Sequence, residues 1–173
     1  MNINIFFVVI FSGLLMVYLF FKPLDIKQQE YRDVPLFEIL SFTLYELNNV
    51  GLTTLMNGNK ATKYSDRYAV SGINYTDNSK KYIANMKADN GLYKNEVVDL
   101  KGNVVYNRED GLFFETEELS YNKKTSIAYT DKKYILYRAN DKVVGSSLTY
   151  NNLLNKIESK NVVINYEIKE RDK

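Results

Sequence analysis

An antiparallel all-β domain behind one N-terminal transmembrane helix is the fold class that three features of this 173-residue chain predict. Residues 1–21 carry no charged side chain and are close to continuously apolar. Beyond residue 35, short alternating runs are separated by Gly- and Asn-containing turn signals at roughly ten-residue spacing, the pattern of a β meander, sandwich or barrel. The two prolines, Pro23 and Pro35, both precede that region, so no run within it lacks a ladder donor. The length suits one folded domain with an appendage.

The elements follow in order. Residues 1–21 read as a transmembrane helix, because about 20 apolar residues at 1.5 Å each cross a hydrocarbon core of roughly 30 Å. A cleaved signal peptide fits less well: no Lys or Arg precedes the run, and Phe20-Phe21-Lys22-Pro23 offers no small-x-small cleavage site. The nearby cations, Lys22 and Lys27, lie after the run and taken alone would put the remainder of the chain in the cytoplasm. Residues 22–35 are polar and read as a tether, which leaves 36–173 for the β domain. The stretch from Leu36 to Tyr45 fits a helix on periodicity about as well as a strand, and is read as a strand.

Turns are expected around Gly51, at Asn57-Gly58-Asn59, Asp77-Asn78-Ser79, Asp89-Asn90-Gly91, Lys101-Gly102-Asn103, Glu109-Asp110-Gly111, Asn122-Lys123-Lys124, Thr130-Asp131-Lys132 and Asn140-Asp141-Lys142, where Gly and Asn tolerate positive φ. Between them Val98, Leu100, Val104 and Tyr106 share one parity, as do Tyr134, Leu136 and Arg138. Val162, Ile164, Tyr166 and Ile168 do so in a final strand. In Leu112-Phe113-Phe114-Glu115-Thr116 the exposed parity belongs to Glu115, so Phe114 should face inward with Leu112 and Thr116.

Composition excludes much chemistry. The chain has no His and no Cys, which removes Ser-His-Asp and Cys-His catalysis, disulfides, and His or thiolate metal sites. Net charge is +2, with both signs scattered, so no nucleic-acid footprint is present. The acidic group Glu109, Asp110, Glu115, Glu117 and Glu118 reads as a solvated strand face rather than a carboxylate pair for glycoside hydrolysis. The segment from Gly51 to Thr62 superficially resembles a phosphate loop, but the glycine spacing is wrong and a hairpin turn accounts for it better. Lys80-Lys81-Tyr82 and Lys132-Lys133-Tyr134 read as lysine-bearing hairpin ends rather than a nucleic-acid platform. No catalytic residue, cofactor or metal is expected.

The order of short motifs carries a resemblance. Lys87-Ala88-Asp89 leads through Leu100-Lys101-Gly102-Asn103-Val104-Val105 to Thr116-Glu117-Glu118-Leu119-Ser120-Tyr121. Ile127-Ala128-Tyr129, Val143-Val144-Gly145-Ser146-Ser147-Leu148 and Val163-Ile164-Asn165-Tyr166 follow, and Leu44-Tyr45 through Gly51 to Tyr64-Ser65-Asp66 precede. Together they resemble the LptC family, the bitopic inner-membrane component of lipopolysaccharide export. Gly51, Gly102 and Gly145 occupy motif glycine positions, whereas Ser147 stands where the family often has a second glycine.

The resemblance implies an open β-jellyroll of the LptA, LptC and OstA kind, with its C-terminal domain in the periplasm, against the weak local charge signal. It implies a non-enzymatic protein that accepts lipopolysaccharide from an inner-membrane ABC transporter complex and passes it to a periplasmic bridge protein of the LptA type. Val104, Phe114, Leu119, Ile127, Leu136, Leu148 and Ile164 are the expected lipid-lining residues. Val162, Ile164 and Tyr166 are expected at the edge that pairs with the bridge protein. The rival reading is a cell-envelope scaffold built on a closed β-sandwich without a ligand.

Overall fold

The computed structural model describes residues 3–20, 33–49 and 51–167. The chain divides into two units, Met1–Tyr31 and Arg32–Lys173. The first contains α1 (Ile3–Phe20), an uncharged helix long and apolar enough to cross a membrane. It is apolar all round and buries none of its residues, which is the composition of a helix whose solvent is not water.

The second unit is a single sheet that opens with six long antiparallel strands in chain order. These are β1 (Phe37–Asn48), β2 (Gly51–Lys63), β3 (Tyr68–Asp77), β4 (Ala84–Lys94), β5 (Val97–Arg108) and β6 (Leu112–Asn122). The segment that fitted both helix and strand is thus a strand. Three further passes are each broken once: β7 (Ile127–Thr130) and β8 (Tyr134–Arg138), β9 (Asp141–Gly145) and β10 (Ser147–Asn151), β11 (Lys156–Lys160) and β12 (Val163–Asn165). One half of β6 pairs with β8 and the other with β7, after which β9 and β12 continue one arm, and β10 and β11 the other. The sheet is not closed into a barrel. An open sheet, not the closed sandwich of the rival reading, is what forms.

The breaks line up with irregularities in the long strands. Ser41, Gly72, Gly102, Asn103 and Asn161 all have positive φ. In register they fall side by side with Asn59, Asp89 and Glu117, so a line of bends crosses the whole sheet. This corrects four expected hairpin turns: Thr130-Asp131-Lys132 is the break between β7 and β8, which run on beside the same strand β6, and the other three lie within strands. Asn57-Gly58-Asn59, Asp89-Asn90-Gly91 and Lys101-Gly102-Asn103 lie inside β2, β4 and β5, where they bend a strand instead of ending it. The Gly51 to Thr62 segment is accordingly a continuous strand.

Side chains tie the bend together. Asn103 Nδ2 donates to Asp89 Oδ2 at 2.8 Å, and a Cβ on Gly102 would fall within 2.5 Å of the same carboxylate. At φ +78°, with that neighbour, the position favours glycine on two counts. Thr116 Oγ1 donates to the Lys133 carbonyl at 3.0 Å, which leaves Thr130 to donate to Thr116 while accepting the Lys132 N–H. Asn161 Nδ2 donates to Ser146 Oγ at 2.9 Å at the last break. Thr116 and Thr130 are buried, so these bonds offset the desolvation of hydroxyls that must lie beneath the bend.

The core is one cluster along the inside of the bend: Ile73, Ala88, Leu100, Val104, Phe114, Leu119, Tyr134 and Leu148. Val104 is fully buried. Phe114 stacks on Tyr134 with ring centroids 5.8 Å apart. Across the long strands alternation switches parity at most bends, as at Phe114 and Thr116 against Leu119, which keeps apolar residues on one face of both arms.

Candidate functional site

Strand register gathers the inward residues into two rows that run from one edge of the sheet to the other. The first passes through Leu44, Met56, Tyr75, Met86, Tyr106, Phe114, Leu136, Val143 and Ile164, each opposite the next. The second passes through Phe37, Lys63, Tyr68, Tyr93, Val98, Tyr121, Ala128, Tyr150 and Ile157. Members of both rows pack against the same buried cluster, so the two arms share one interior.

The rows begin and end in solvent. Phe114, near the middle of the first, is 8% exposed, whereas its terminal residues Leu44 and Ile164 are 55% and 56% exposed. Phe37 and Ile157 close the second row and are also exposed. An ordinary core ends by covering its margin with polar residues. Here the apolar surface runs out at both sheet edges, and two methionines, Met56 and Met86, place adaptable thioethers along it.

The expected lining residues take different places in this frame. Val104, Phe114, Leu119 and Leu148 are buried in the cluster at the bend, and Leu136 is packed against it. Leu112 and Thr116 share the Phe114 side while Glu115 is exposed. Ile127 alternates with the core-packed Ala128 and pairs with Asn122 and Asn151, so the structure puts Ala128, not Ile127, on the inner face. Ile164 lies at the exposed end of the first row. The row members Met56 and Met86 were missed because β2 and β4 contain bends that the sequence disguises as turns.

The final strand is shorter than its alternation suggests. β12 spans three residues paired to β9, with Val162 and Tyr166 flanking it and exposed, and Ile168 outside the described residues. The outer sides of β1, β11 and β12 have no strand partner among the described residues. Of the motif glycines, Gly51 begins β2 at φ +137°, Gly102 sits in the bend, and Gly145 lies beneath a side chain. A Cβ on Gly145 would fall 2.6 Å from the Tyr134 ring and 2.8 Å from Ser159 Oγ. Ser159 donates to the Ser147 carbonyl at 2.6 Å, so the Tyr134 hydroxyl is the donor in its 2.8 Å bond to Ser159.

The acidic group contains no carboxylate pair facing a cleft. Asp110 binds Arg108 through both oxygens, at 2.6 and 2.8 Å, and this partner holds its carboxyl below the usual range. Glu118 faces Lys101 and Lys132 at 3.7 and 3.9 Å. No cluster suited to a metal ion occurs among the described residues. What the arrangement offers is two apolar rows that share one interior and end exposed at both sheet edges.

Among curated proteins, none matches the chain. The family model described as lipopolysaccharide-assembly, LptC-related, matches residues 7–167, a span that takes in most of α1 and every strand. The chain belongs to the LptC-related family of lipopolysaccharide-assembly proteins, and its membership supports a role in lipopolysaccharide transport.

Proposed function

We propose that the protein carries lipopolysaccharide through a bent groove, taking it from an inner-membrane ABC transporter complex at one sheet edge and releasing it to a periplasmic bridge protein of the LptA type at the other. The observation that carries this reading is the uninterrupted apolar row from Leu44 to Ile164. An acyl chain sliding along it exchanges one apolar contact for the next and need never enter water. The protein contributes the path and the transporter contributes the energy, so no catalytic residue is required. On this reading α1 is the inner-membrane anchor and the sheet is periplasmic.

A photoreactive side chain in place of Phe114 should form an adduct with lipopolysaccharide in working cells, and the adduct should depend on ATP. The same group at Glu115, one residue along and on the opposite face, should not. Absence of an adduct at Phe114 and at Leu136 would return the protein to the scaffold reading.

A further inference from the structure

The two rows differ in chemistry, and that difference assigns the ends of the lipid. The rim beyond the first row has its arginines engaged, Arg108 bidentate to Asp110 and Arg138 3.6 Å from the same carboxylate, and Lys81 stands over the single ring of Tyr82, 5.0 Å from its centroid. Glu46 and Asp77 lie on that rim as well. The second row is built otherwise. Tyr68 and Tyr93 are opposite each other with ring centroids 6.2 Å apart. Lys63 Nζ stands 5.4 Å from the Tyr68 centroid, and Lys123 Nζ stands 4.8 Å from that of Tyr93.

Neither lysine has a carboxylate within ion-pair distance among the described residues. The backbone bond from Lys123 N–H to the Glu96 carbonyl, 2.8 Å, fixes the β6–β7 turn against the β4–β5 turn and so sets Lys123 over Tyr93. Glu96 lies near enough to Tyr93 to push its hydroxyl pKa up, and forms no ion pair with either lysine. A cation over an aromatic face keeps its full charge, so both ammonium groups remain able to take an anion. Lys142 over Tyr137 repeats the contact, but Tyr137 alternates with the core-packed Leu136 and lies on the other face.

We propose that Lys63, Tyr68, Tyr93 and Lys123 form a headgroup subsite on the rim of the groove. The two ammonium groups take phosphates of an anionic sugar headgroup, and the tyrosine faces take the sugar ring. The acyl chains then lie along the Leu44 to Ile164 row in the opposite arm. This rests on the lipid-carrying reading above and adds an orientation to it.

The test uses the full-length chain in nanodiscs of neutral phospholipid, with an acylated diglucosamine lipid in its bis-phosphate and its dephosphorylated form. Wild type should bind the phosphorylated lipid about tenfold more tightly, a preference that fades at high salt. Lys63→Gln with Lys123→Gln should erase the preference without changing the melting temperature, and the Lys→Arg pair should keep it. Equal binding of the two lipids by wild type, or an unchanged preference in the glutamine pair, overturns the subsite. The photoreactive group at Phe114 separates the two claims: adducts with both lipids uphold the groove whatever the lysines do, and none with either overturns the groove itself.

Discussion

Gly145 shows how one residue can hold the bend closed. Tyr134 pairs with it across β8 and β9, and the ring passes over the glycine to reach Ser159 on the next strand. The φ of Gly145 is not in the left-handed region, so the requirement is space alone. Gly145→Ala should therefore destabilise the sheet by about 1–3 kcal/mol, as overpacking generally does. Denaturant melts of the single and double variants with Tyr134→Leu should show strong non-additivity, because once the ring is gone the added methyl meets only the small Ser159 hydroxyl, which can turn aside. Additive effects would mean that the clash is relieved elsewhere. Asp110 acts through charge. Its folded pKa is depressed below an ordinary 3.8 by the Arg108 hydrogen bonds, so it contributes stability above that value and loses it as pH falls through the depressed one. Asp66, bound by Lys94 and Arg67, has the same sign. Melting temperature should fall on acidification below about pH 4, and Asp110→Asn should flatten that fall while lowering stability at neutral pH.

Strands and bends draw on the same residue types, and this decided which elements the sequence revealed. Alternation identified short runs, such as Tyr134 to Arg138, and the inward parity of Phe114, since burial on one face leaves a period of two. The bends were read as hairpins because Gly102 and Asn103 adopt the positive φ that a tight turn also needs. Real hairpins went unseen where the signal was weak: Asn95 and Glu96 both have positive φ and connect β4 to β5 as a two-residue turn, with Glu standing where Gly is usual. The groove rows were hidden with the bends, because each bend shifts which parity faces inward. The edges were legible only as exposed alternation, and β12 proved to be three residues long. Its outer side is still an open row of backbone groups suited to strand addition. The chain has no cysteine, so a thiol placed at Asn165 would be its only one. Paired with single cysteines along the first strand of the bridge protein, it should form an intermolecular disulfide at one register. Crosslinks spread evenly over all registers would indicate proximity without strand pairing.

At the scale of the whole molecule, the question is whether the rows are a route or only a core. Substitution at Phe114 cannot decide it, because Phe114→Asp would unfold a groove and a closed core alike. The row ends can decide it. Leu44 and Ile164 are more than half exposed at opposite edges of the sheet, so an aspartate at either should shift stability by no more than about 0.5 kcal/mol. On a route, however, a carboxylate at either end sets a charge against a passing acyl chain. Leu44→Asp and Ile164→Asp should each leave the melting temperature near wild type and each reduce lipopolysaccharide delivery to the outer membrane. Their effects on the Phe114 photo-adduct should be opposite. Blocking the loading edge leaves the middle of the row empty and lowers the adduct, whereas blocking the release edge traps lipid beside Phe114 and raises it. The pair thereby reports the direction of flow. If both variants transport normally, or both leave the adduct at its wild-type level, the exposed ends are not part of a path and the rows serve only to hold the sheet together.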